Sequence, residues 1–70
     1  MKRQAVEFVV DAGETTLVSE TMRLVAGDAL LRLTVAPVDG TPRYRITALV
    51  EGGQAASVMR AVMKRLDETG

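Results

Sequence analysis

Seventy residues with nine lysines and arginines against nine aspartates and glutamates make a neutral chain too short for two cores, since a domain this size buries only roughly 60% of the surface its unfolded chain exposes. The chain has no cysteine and no histidine, which excludes disulfides, thiolate or imidazole metal sites and every histidine-dependent triad. Without net charge no long-range field steers it to nucleic acid or an anionic membrane, and no apolar run approaches the ~20 residues that span a bilayer, so residues 1–70 are expected to form one cytoplasmic domain.

From Gln4 to Asp11 the residues Val6, Phe8 and Val10 alternate with Glu7 and Val9, a period of two that predicts a strand with one buried face. Asp11 with Glu14 has the spacing of a capping box, in which each residue satisfies a backbone N–H that a first helical turn leaves free. The segment Thr15 to Ala26 then reads as a helix with Leu17, Val18, Met22, Val25 and Ala26 on one broad face, closed by Gly27 as a left-handed cap. Its β-branched residues Thr15, Thr16, Val18, Thr21 and Val25 favour a strand instead, so caps and local propensity disagree here.

Ala29 to Ala36 predicts a second strand, with Leu31, Leu33 and Val35 on one face and Leu30, Arg32 and Thr34 on the other. Pro37 stops it, and an Asp39-Gly40 turn bracketed by Pro37 and Pro42 leads into a third. There Tyr44, Ile46, Ala48 and Val50 alternate with Arg43, Arg45, Thr47 and Leu49. After Gly52-Gly53 the spacing changes to threes and fours, with Ala55, Val58, Met59, Val62, Met63 and Leu66 on one face, which predicts a helix from Gln54 to Leu66. Lys64 and Arg65 fall in its expected last turn, where positive charge complements unpaired carbonyls, and Gly70 can close it.

The expected fold is therefore α+β: a β-α-β-β-α split, ferredoxin-like, three-stranded sheet with both helices on one face. The first two strands run parallel and the hairpin strand lies between them. The alternative is a β-β-β-β-α meander with one helix. In the first arrangement one sheet face stays uncovered and shows Glu7, Val9, Arg32, Thr34, Arg43, Arg45, Thr47 and Leu49.

Few residues in this set suggest chemistry. Ser19 and Ser57 have no histidine to activate them, and Asp67-Glu68 ends an exposed helix. Gly52-Gly53 before a helix has the spacing of neither a P-loop nor a dinucleotide fingerprint, and a flexible start to the helix accounts for it. An open sheet face bearing arginines invites comparison with RNA-recognition domains, but the chain's aromatics, Phe8 and Tyr44, both alternate with the buried set and cannot stack bases there. The methionines Met22, Met59 and Met63 fit the core faces of the helices. The composition thus predicts no catalytic residue, no metal and no cofactor.

The segment Pro42-Arg43-Tyr44-Arg45-Ile46, followed by the alanine-rich start of the helix from Gln54, resembles the C-terminal domain of the α subunit of archaeal and eukaryotic translation initiation factor 2. The upstream strand, helix and strand agree in order, so the resemblance covers nearly the whole chain. It implies a non-catalytic binding element that docks on a GTP-binding γ subunit, with Arg43, Tyr44 and Arg45 at the corresponding motif positions. Arg32 joins them as a candidate partner-binding residue through its place beside them on the sheet. Two other readings stay open: an orphan or designed small domain that self-associates, as a homodimer through the edge strand Ala5 to Val10, and a nucleic-acid-binding α/β module, against which the neutral charge argues.

Overall fold

The structure is a computed structural model that describes residues 2–69. Alternation of Val6, Phe8 and Val10 with exposed neighbours gives β1 (Arg3–Asp11), which turns through a 3-10 turn (Ala12–Glu14) into α1 (Thr15–Ala26). The capping box is present: the Asp11 N–H donates to Glu14 Oε1 at 3.3 Å, and Thr15 Oγ1 donates to the Ala12 carbonyl at 2.9 Å. These caps, together with a face of Val18, Met22 and Ala26 that only a helix can bury at once, outweigh the β-branched residues, and the four-stranded meander is overturned.

A second 3-10 turn (Gly27–Ala29) leads to β2 (Leu30–Pro37), followed by β3 (Arg43–Glu51) and α2 (Gln54–Thr69). Both ladders are antiparallel and the strand order is β1-β3-β2, so β3 is the centre of the sheet and β1 and β2 run in the same direction at its edges. Val6, Val10, Ile46, Ala48 and Val50 of the sheet share one core with Val18, Met22 and Ala26 of α1 and Val58 and Val62 of α2. Both helices therefore cover the same sheet face, α1 over β3 and β2, α2 over β1 and β3. The buried core is wholly aliphatic, with Phe8 only half-buried against it.

The β2–β3 connection is held by its own polar groups. The Thr41 N–H donates to the Val38 carbonyl at 3.2 Å, the Val38 N–H donates to the Arg43 carbonyl at 3.0 Å, and Gly40 supplies the positive φ of 77° that the turn's third position needs.

Four expectations are corrected. Leu30 packs inward opposite Val50 and Leu31 is exposed, because the register slips at Leu31: a β-bulge reverses the facing of everything before it, which a run of leucines on both sides conceals. Met59 and Met63 are 44% and 59% exposed, since only Val58 and Val62 of the α2 stripe lie squarely over the sheet. Val25 is also partly exposed, at the lip of the groove between the helices. Finally, α2 continues to Thr69, so Lys64 and Arg65 precede its last turn; Gly70 lies outside the described residues.

Thr21 is the buried polar side chain of the described core, 4% exposed, and its Oγ1 donates back along α1 to the Leu17 carbonyl at 2.7 Å. The same carbonyl sits within reach of the helical N–H four residues on, so removing the hydroxyl leaves no acceptor stranded. Thr21→Val is therefore expected to change stability by less than about 1 kcal/mol in a urea melt. A loss above about 2 kcal/mol would show that the hydroxyl itself holds the helix.

Candidate functional site

The sheet face away from the helices has no described element over it. Its residues follow from the register: across the sheet lie Arg3 and Glu51, then Ala5, Leu49 and Arg32, then Glu7, Thr47 and Thr34, then Val9, Arg45 and Ala36, and at the far end Asp11 and Arg43. Side chains directly opposite on neighbouring strands share a face, so these rows form a continuous surface. The surface is mixed, with Glu7 beside the threonines at its centre, Arg32 and Arg45 among the small or apolar Ala5, Val9, Ala36 and Leu49 on either side, and charged pairs at both ends.

Arg43, Arg45 and Arg32 stand on this face as expected, and Tyr44 does not. It is paired opposite Val10 and Pro37 on the helix side, half-buried, so it can anchor β3 from beneath but cannot share a contact surface with its two arginine neighbours. Phe8, opposite Ile46, is likewise on the helix side.

The arginines are not a bare cationic patch. Arg43 Nε lies 3.7 Å from Asp11 Oδ1, directly across the ladder, and Arg45 Nε lies 3.5 Å from Glu7 Oε2 on the diagonal. Both pairs are half or more exposed, so each contributes well under about 1 kcal/mol to folding. Their effect is chiefly on the field, which they neutralise locally. Arg32 has no ion-pair partner among the described residues. The sequence puts these arginines on the open face but gives Asp11 only as a cap, whereas Asp11 also pairs with Arg43.

A second concavity lies between the helices, a shallow groove of about 330 Å³ lined by Thr21, Leu24, Val25, Ala61, Lys64, Arg65 and Glu68. No cluster of acidic residues among those described could hold a metal ion, and no described helix is long and apolar enough to cross a membrane.

The architecture is that of a small α+β protein with a three-stranded antiparallel sheet and two helices. Comparison with protein-family models, with curated proteins and with solved structures finds no match to the chain.

Proposed function

We propose that this chain is a non-catalytic protein-interaction module that binds through the open face of its sheet. The observation that carries the reading is a three-stranded face that no described element covers, mixed in polarity, on which the ion-paired Arg43 and Arg45 and the nearby Arg32 accompany Leu49 and Val9. Arginine beside apolar surface is the composition that protein interfaces enrich. Direct binding of nucleic acid fits less well, because the chain is neutral, two of the arginines are already paired, and both aromatics face the helices. We read the arrangement as a split β-α-β, ferredoxin-like unit with a third strand inserted. The resemblance to the initiation-factor α subunit supplies the candidate partner, a γ-type GTP-binding subunit.

The test replaces Arg43 and Arg45 together with alanine and measures folding stability alongside capture of such a subunit. Loss of capture, with stability unchanged within about 1 kcal/mol, is the expected result, since both side chains are exposed. Capture that survives the double substitution removes these arginines from the site. Failure of the unsubstituted chain to capture a γ-type subunit removes that partner.

A further inference from the structure

The two outer edges of the sheet differ in how their backbone groups are used. The Gly52 N–H donates to the Lys2 carbonyl at 2.9 Å, which makes this the first hydrogen-bonded pair of the β1–β3 ladder. Alternation along an antiparallel ladder then turns the N–H and C=O groups of Gln4, Val6, Phe8 and Val10 toward β3, and those of Arg3, Ala5, Glu7 and Val9 toward the open edge. The next outward N–H, that of Asp11, is taken by Glu14 Oε1. From Arg3 to Val9 no described element covers the outward groups.

The β2 edge is guarded by contrast. The Val38 N–H bond to the Arg43 carbonyl fixes the same alternation there, so that Leu33, Val35 and Pro37 point outward. Pro37 has no N–H to offer, and the bulge at Leu31 breaks the other end of the strand. Proline and bulges are two of the devices that stop an edge from pairing, and β1 has neither.

The side chains beside β1 point the same way. On α2, Ala61, Lys64 and Arg65 face α1 across the inter-helix groove, while Val58 and Val62 face the sheet. At 3.6 residues per turn Met59 and Met63 then fall on the flank away from α1, above the β1 edge, which explains why two long apolar side chains remain about half-exposed.

We infer that a second copy of this chain pairs its β1 with this edge, antiparallel and centred on Ala5, making one continuous sheet across a twofold axis with the Met59–Met63 flanks of both α2 helices over the seam. Charge complementarity selects the occupant and the register. Centred on Ala5, the strand sets Arg3 opposite Glu7 of the other copy, twice by symmetry, and uses the outward groups of Arg3, Ala5 and Glu7 as hydrogen-bonded pairs. Each Glu7 carboxylate then lies between its own Arg45 and the other copy's Arg3. Centred on Glu7 instead, Arg3 would oppose Asp11, whose carboxylate already serves Arg43 and whose N–H is already held by Glu14, and the two Glu7 carboxylates would face each other at the axis. The dimer goes beyond the open-face reading and fails separately from it, since one is tested by oligomeric state and the other by capture.

The experiment is sedimentation equilibrium on the full chain. Arg3→Glu and Glu7→Arg, each alone, should weaken dimerisation about tenfold or more, because two attractive pairs become two repulsive ones. The double substitution Arg3→Glu with Glu7→Arg should recover most of the loss, less the repulsion that an arginine at position 7 meets from Arg45, which no general loss of stability would do. The chain has no cysteine, so Ala5→Cys introduces a single thiol at the axis, where the Cα atoms of a hydrogen-bonded antiparallel pair lie about 5.5 Å apart, within disulfide reach. Oxidation should link Ala5→Cys copies and leave Thr34→Cys copies, on the same face beside the other edge, unlinked. A chain that stays monomeric at about 1 mM, a charge exchange that does not restore pairing, or linking through Thr34→Cys in place of Ala5→Cys would each overturn the inference.

Discussion

Ile46→Ala is expected to remove about 2–5 kcal/mol of folding stability, a large fraction of what holds the chain folded. Ile46 is fully buried on the central strand, beneath both helices, where the gap left by the lost atoms cannot be filled from solvent. A chain of this length has only about 4–10 kcal/mol in total. Val35→Ala is the matched control: Val35 lies directly opposite Ile46 on the same face, yet it is on the edge strand and nearly half-exposed, so its loss should be no more than about 1 kcal/mol. Urea denaturation followed by far-ultraviolet circular dichroism measures both. Equal costs for the two substitutions would mean that the core is not centred on β3.

The second large effect is a backbone one. Gly27, which ends α1, has φ 53° and ψ −126°, a region that a side chain makes strained, and its N–H donates to the Arg23 carbonyl. This is a positive-φ cap, as the sequence led one to expect, though its ψ is not that of a left-handed helix. A Cβ at this position would meet nothing within 4 Å, so the whole cost of Gly27→Ala is conformational, about 1–3 kcal/mol. Gly13 is equally uncrowded but lacks the positive φ. Gly13→Ala should therefore be neutral or stabilise by up to about 1 kcal/mol, through a less flexible unfolded chain. Thermal melts that rank the two substitutions in the opposite order would contradict this account.

Much of the architecture was legible in the sequence because β1 and β3 alternate against a single buried face. Val6 and Val10, like Ile46, Ala48 and Val50, could be assigned inward from their spacing alone, and the open face followed from their neighbours. The capping pair Asp11 and Glu14 pointed to a helix where propensity pointed to a strand, and the helix is what forms. What escaped was whatever depends on an element's neighbours in place of its own pattern. Leu30, Leu31 and Leu33 read equally well in either facing, so the bulge left no trace in composition. Met59 and Met63 continue the apolar stripe of α2 without a break, and only the position of that helix over an edge strand leaves them uncovered. The pairing of Arg43 with Asp11 was hidden for a similar reason: it joins residues thirty-two positions apart through a register that no local pattern encodes.

The place of β3 at the centre of the sheet also orders events in time. β2 and β3 are joined by a short turn and can meet as soon as both exist, whereas β1 must wait for a partner that lies some forty residues further along the chain. At about 0.6 kcal/mol for each doubling of the closed loop, joining β1 to β3 costs roughly 2 kcal/mol more chain entropy than closing the hairpin, before any cover from α1 is counted. During synthesis the first strand made is thus the last to be paired, and the apolar run Val6 to Val10 stays uncovered until the middle of the sheet has been built.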